Sequence, residues 1–259
     1  MRGFTAALWA ELLKLRRSRV PMYISLGYVA LPVAMVFFMA IFRDPEWARQ
    51  LGIIGAKAQI VVASFDWPTY LGMLAQGMMG FILLYALMAS WVFGREHTDH
   101  TMKDLLALPT SRSALLAAKY IVIVVYSLLM MVLVSILGVA LGYAVGLPAA
   151  STEVMLHGVA TILVVGAMNL LLVAPMGLFA CVGRGYLPPV GFTFLTLALA
   201  EISEVIGYAM YFPYAVPAIF IKWSAGGEPL PTVSYALVLL AGLIGVVGMY
   251  AWIRYADHT

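Results

Sequence analysis

Two stretches of this 259-residue chain carry side chains whose types and spacing could do chemistry. The first is Glu96-His97-Thr98-Asp99-His100. Two imidazoles at i,i+3 beside carboxylates suffice for weak metal binding, but the His-Glu-x-x-His spacing of zinc proteases is absent. A solvated, charged loop is the plainer reading, and no metal site is expected. The second stretch holds Glu201 and Glu204, the only acids in an otherwise apolar run, on one helical face by their i,i+3 spacing. At 1.5 Å per residue, Glu201 lies roughly 22 Å beyond Tyr186, in the outer part of an apolar layer about 30 Å thick. Ionised acids at that depth are costly and face a cavity or a partner. They suit a vestibule for a cationic substrate or a proton relay. The bland alternative is a helix that ends early, leaving both acids wet, and Pro213, Pro217, Pro229 and Pro231 beyond them favour it. Asn169 sits in the middle of another apolar run, where a helix–helix hydrogen bond is the default. Asn169, Glu201 and Glu204 are the candidate pathway residues.

Those residues need elements to hold them, and composition says which kind. Hydrophobic residues make up 64% of the chain and charged residues 10%. Soluble domains carry about 25% charged residues, and they rarely expose apolar patches above a few hundred Å². A soluble enzyme, a disordered regulator and a secreted disulfide scaffold are excluded. Cys181 is the single cysteine, so no intrachain disulfide can form. The net charge of +3 is spread along the flanks of apolar runs, which argues against nucleic-acid binding.

A membrane helix needs about 20 apolar residues. Val20–Phe42, Tyr70–Phe93, Tyr120–Leu147, Gly158–Val182, a run opening at Tyr186 and uncharged to Ala200, and Val233–Ile253 give six spans. The expectation is an all-α integral membrane protein, because lipid cannot satisfy an open backbone. The first run is longer than a signal sequence and lacks a cleavage site, so it is expected to be retained. Of the Lys and Arg residues, eleven fall on the side of the N-terminus and of the 94–119 loop, and four on the other. By the positive-inside rule, both termini are expected to be cytoplasmic, in a multi-pass plasma-membrane protein. Gly138, Gly142 and Gly146 in span three, with Ala241 and Gly245 in span six, permit close helix contact.

Residues 1–19 read as an interfacial helix. Phe4, Leu8, Leu12 and Leu15 share a face, Trp9 suits the headgroup level, and Glu11 can pair with Lys14 at i,i+3. In the inner loop 94–119, Thr101 can cap a short helix carrying Leu105, Leu106 and Leu108, which Pro109 stops. Thr110 or Ser111 can then open the next helix. A short inner helix wedged between two spans can pass a push from a soluble partner into the membrane.

The motif Glu-x-x-x-x-Thr-x-Lys-x-Leu-Leu-x-x-Pro-x-Ser-Arg stands here as Glu96, Thr101, Lys103, Leu105, Leu106, Pro109, Ser111 and Arg112, with Lys119 seven residues on. With Trp9, Glu11, Leu13, Lys14, Arg16 and Arg17, it resembles the permease subunit of ABC-2 type exporters, in the bacitracin and lantibiotic-immunity group. The resemblance implies a single permease domain over 1–259 and a pathway formed by two permease subunits, identical or not. It implies two separate ATP-binding cassette subunits that dock beneath. Glu11, Lys14, Glu96, Thr101, Lys103, Leu105, Leu106, Pro109 and Arg112 would couple to them, through the interfacial and 101–108 helices. Segment 202–231 would form re-entrant outer helices. The substrate would be amphipathic or lipid-like, such as a peptide antibiotic moved outward. The His97–His100 stretch is more polar than the family pattern. No Gly-x-x-x-x-Gly-Lys-Ser/Thr loop occurs in the chain. It is therefore expected to be no enzyme and to hold no cofactor, with ATP and Mg in the partner. Two other classes stay open at this point: a proton-driven transporter using Glu201 and Glu204, and an intramembrane enzyme using those acids and Asn169.

Overall fold

The computed structural model describes residues 2–44, 50, 52, 64–99, 101 and 110–255. Its elements are α1 (Arg2–Arg17), α2 (Val20–Arg43), α3 (Trp67–Gly80), α4 (Ile82–Thr98), α5 (Arg112–Ala144), α6 (Thr152–Leu172), α7 (Ala174–Val182) and α8 (Leu187–Val205). Two 3₁₀ turns follow, Ala209–Tyr211 and Pro213–Ala215, then α9 (Val216–Ser224) and α10 (Thr232–Tyr255). No strand occurs among the described residues.

Five helical stretches are long and apolar enough to cross a membrane: Val20–Ile41, Trp67–Glu96, Arg112–Ala144, Thr152–Val182 and Thr232–Tyr255. They match the first four and the last of the six expected runs. The remaining run is α8, which is not among the five. Pro188 and Pro189 occupy its first turn and Glu201 and Glu204 its last. The apolar part between them measures roughly 17 Å at 1.5 Å per residue, short of a layer about 30 Å thick.

The helix starts are written locally. Asp66 Oδ1 accepts from the Thr69 amide at 2.9 Å, capping α3. Ser111 Oγ accepts from the Ala114 amide and caps α5, and Ser151 does the same for α6. Helix α5 therefore begins at Arg112, as the Ser111 cap leads one to expect, two turns before the apolar run that opens at Tyr120. The run expected at Gly158–Val182 is divided at Val173. Pro175 lacks the N–H for an i→i−4 bond, and its ring crowds the Leu171 carbonyl.

One interior gathers the spans. Tyr28 from α2, Trp67, Tyr70 and Met78 from α3, Tyr85 and Phe93 from α4, and Ile123 from α5 are nearly inaccessible. Two tyrosine hydroxyls inside it satisfy backbone. Tyr70 donates to the Gly138 carbonyl at 2.9 Å, and Tyr126 to the Pro21 carbonyl at 2.9 Å. Outside, Phe37, Phe38, Leu129, Ile136, Leu243, Ile244 and Val247 form an exposed apolar belt, the surface that lipid rather than water would cover.

The small residues do what their spacing allows. Gly142 faces the Trp67 ring, and Gly245 of α10 lies against the backbone of Ala174 and Pro175 at the α6–α7 break. A side chain at Gly245 would meet main chain, which cannot swing aside. Gly245→Leu is expected to destabilise the fold by about 1–3 kcal/mol through overpacking. The readout is a lower thermal unfolding midpoint of the purified protein in detergent, with Gly245→Ala falling between.

Candidate functional site

Helix α1 does not lie with its whole apolar stripe against the bundle. Ala7 is buried and Leu8 and Leu15 pack on the core, but Trp9 and Leu12 face outward, 68% and 40% exposed. The inward face includes Glu11, 6% exposed. It meets two further charged residues that are equally hidden, Glu96 near the end of α4 and Lys119 on α5.

These side chains form one cluster with Lys14. Lys119 Nζ donates to Glu96 Oε1 at 2.6 Å, to Glu11 Oε1 at 3.2 Å and to the Val92 carbonyl at 2.9 Å. Lys14 Nζ donates to Glu11 Oε1 at 2.7 Å and to Glu96 Oε1 at 2.9 Å. Each carboxylate thus bridges both ammonium groups. The two acids and two bases cancel in charge. Stripping an ion of water costs several kcal/mol, so such groups are stable inside a protein only when paired and hydrogen-bonded. Glu96 Oε2 stays buried without a hydrogen-bond partner, which makes the two ammonium contacts on Oε1 the more necessary. Burial alone would pull the Lys14 pKa down, but the Glu96 and Glu11 carboxylates outweigh it and hold the ammonium above its ordinary 10.5.

The expected site residues divide into groups. Glu11, Lys14 and Glu96 come together here, and the expected Glu11–Lys14 pair forms. Thr101 closes α4 by donating its amide to the Glu96 carbonyl at 3.0 Å. Lys103, Leu105, Leu106 and Pro109 lie outside the described residues, as do the 101–108 helix beyond Thr101 and His100. Arg112 is not in the cluster. Its guanidinium donates to the carbonyls of Ile253 at 2.9 Å and Arg254 at 3.4 Å, at the C-terminal end of α10, where a cation is favoured. A metal reading of the 96–100 stretch would have to take Glu96 from two lysines, while Asp99 already faces Arg95 at 3.9 Å. Lys119, which the sequence offers as a motif residue at the end of the inner loop and not as a coupling residue, closes the cluster. The available signal was a lone cation two turns into a helix capped at Ser111, in line with buried Leu116, Val122 and Ile123.

The pathway candidates also converge. Asn169, Glu201 and Glu204 line one narrow crevice of about 20 Å³, with Met79, Ala200, Tyr214 and Ala218. Asn169 makes the expected helix–helix bonds. Its Nδ2 donates to the carbonyls of Met78 at 2.8 Å and Met79 at 3.2 Å, where α3 gives way to α4. Glu201 and Glu204 are exposed although α8 runs on past them to Val205. Glu204 pairs with Lys222 of α9.

A larger cavity, of about 720 Å³, opens between the N-terminal turns of α3 and α6 and the end of α9. Apolar Leu71, Val154 and Ile221 line it alongside Glu153 and His157. His157 Nε2 lies 2.9 Å from both the carbonyl and the hydroxyl oxygen of Ser224. Thr161 Oγ1 lies 2.6 Å from the same hydroxyl. No local pattern in the sequence pairs His157 with a serine so far along the chain.

Comparison with known proteins adds an independent finding. The sequence model of the family described as ABC-2 family transporter protein matches residues 7–199. A bacitracin transport permease protein, BCRB of Bacillus licheniformis, is 22% identical over 174 residues, 67% of this chain and 84% of that protein. No solved structure matches.

Two outcomes are expected of the cluster. Lys119→Met leaves the buried Glu96 and Glu11 with Lys14 as their one shared ammonium and is expected to cost about 3–5 kcal/mol. Thermal unfolding reads it, and the double change Glu96→Leu with Lys119→Met should recover part of the loss. For Lys14 the sign follows from a pKa raised on folding. Its contribution is full below pH 10.5, the ordinary lysine value, and is lost as pH rises through the higher folded value. The stability gap between wild type and Lys14→Gln should therefore be flat from neutral pH to about 10 and close above that.

Proposed function

The chain belongs to the ABC-2 transporter family, and on that premise we propose that it is the permease half of an ATP-driven exporter that moves an amphipathic or lipid-like substrate, such as a peptide antibiotic, outward. That it is a multi-pass membrane component of a transporter follows from the family match and the apolar helices. Permeases of this family generally work with a separate ATP-binding subunit. Here that subunit would supply ATP and Mg, and a second permease, identical or not, would complete the pathway. The relative from Bacillus licheniformis is named for bacitracin transport, which supports the choice of substrate class.

One observation carries the mechanism. The inner connection leaves α4 two residues after Glu96 and enters α5 two turns before Lys119, and the charge cluster ties both of these helices to α1. In the proposal the ATP-binding subunit grips the 101–108 segment and the underside of α1. Its closure then moves α1, α4 and α5 together, because breaking them apart would strand buried charge. The topology in this reading has six spans, with α8 as the fifth and both termini cytoplasmic. The 3₁₀ turns and α9 form the re-entrant outer piece, and α9 is held by Ser224 to α6 and by Lys222 to α8. A proton-driven route through Glu201 and Glu204 has less support, since both acids are exposed and one is already paired.

The test is export. Membranes containing the permease and the Walker-motif protein that co-purifies with it should move a labelled cationic peptide antibiotic only with hydrolysable ATP. Replacing Leu105 and Leu106 by Asp should abolish co-purification and export together. Transport driven by a pH gradient without any ATPase would overturn the reading.

A further inference from the structure

The crevice beneath α9 is lined by oxygen acceptors, of which the fold gives Glu204 a partner and leaves Asn169 Oδ1 without one. Asn169 is 1% exposed. Its Nδ2 is committed to two carbonyls, which fixes the orientation of the amide. Its Oδ1 is buried with no hydrogen-bond partner. A buried acceptor without a donor costs about 1–3 kcal/mol, so a donor is owed to it. The two carboxylates lining the same crevice are Glu201 and Glu204. They sit in the last turn of α8, where the helix dipole adds partial negative charge. All three groups accept and none donates. The space, about 20 Å³, is that of roughly one water-sized body. One ammonium already lies at this edge, because Lys222 of α9 pairs with Glu204.

We infer that the crevice formed by Asn169, Glu201 and Glu204 is a binding site for a single small cation, the ammonium group of a guest molecule or a monovalent metal ion, and that Lys222 competes with that cation for Glu204. This rests on the transport reading for its purpose but not for its chemistry. Glu201 and Asn169 Oδ1 would take the guest, and Lys222 would swing toward water when Glu204 turns inward. With Met79, Ile82 and Leu197 in its lining, the crevice has room for a bare cation or an ammonium head alone, and a guest's alkyl chain would trail outside it.

Titration calorimetry on the purified full chain in nanodiscs tests this, with n-hexylammonium, n-hexanol and sodium chloride as probes. Hexylammonium should bind saturably and hexanol should not. Glu201→Gln should weaken hexylammonium about tenfold, the size of one charge-assisted hydrogen bond. Lys222→Gln should tighten it. Both positions are exposed, so both variants should fold, and an unchanged unfolding midpoint checks that. Sodium binding with the same response to the two variants, in place of hexylammonium, would uphold the cation site and make its guest an ion. Probe binding that is absent, or that ignores both replacements, overturns the inference. Neither the ATPase nor vectorial transport enters this measurement, so its failure leaves the export experiment standing, and the reverse also holds.

Discussion

Two carboxylates and two ammonium groups withdrawn from water can exist only as a set. Glu11, Lys14, Glu96 and Lys119 come from three helices, and each acid oxygen in use is shared between both bases. The desolvation cost is already met when the set is complete, so the cluster adds little as a net source of stability. Its effect is to make separation of the three helices expensive. Hydrophobic contact alone would let α1 slide along the underside of the bundle. The charges give it one register.

The same logic of obligatory partners governs the interior. Lipid offers no hydrogen bonds, so each irregularity in a span must be met from within the protein. Asn169 covers the carbonyls where α3 yields to α4. At the break before Pro175, Gly245 lets α10 approach main chain directly. Irregular backbone and the residues that answer it therefore appear together. They are also where cavities form, since a bent helix cannot pack flush against a straight one.

Much of this was legible in the sequence. Apolar runs locate the long helices, and the glycines of α5 and α10 lie at close contacts as their spacing allows. The helix starting after Ser111 was legible from its cap, but the uncharged runs understate the helices, because α5 carries Lys119 before its apolar run and α8 carries Glu201 and Glu204 after its own. Lys119 is inside because Glu96 and Glu11 receive it. Glu201 and Glu204 are outside and still helical. The leucines of α1 mark one face, but the buried side is chosen by Glu11, whose partner Lys119 lies 108 residues away in sequence. Pairing over such distances leaves no local pattern. The tie between Ser224 and His157 was hidden for the same reason.

Because the cluster is neutral, it projects almost no field beyond its own surroundings. The positive character of this end of the protein belongs instead to Arg16, Arg17 and Arg19, which stay exposed at the close of α1 and the turn into α2. Cohesion and adhesion are thus assigned to separate side chains. In the proposed arrangement, with α1 on the inner leaflet, ionic strength and the share of anionic phospholipid would tune its hold on the bilayer, at about 1 kcal/mol for each basic residue near the surface, without loosening its grip on α4 and α5.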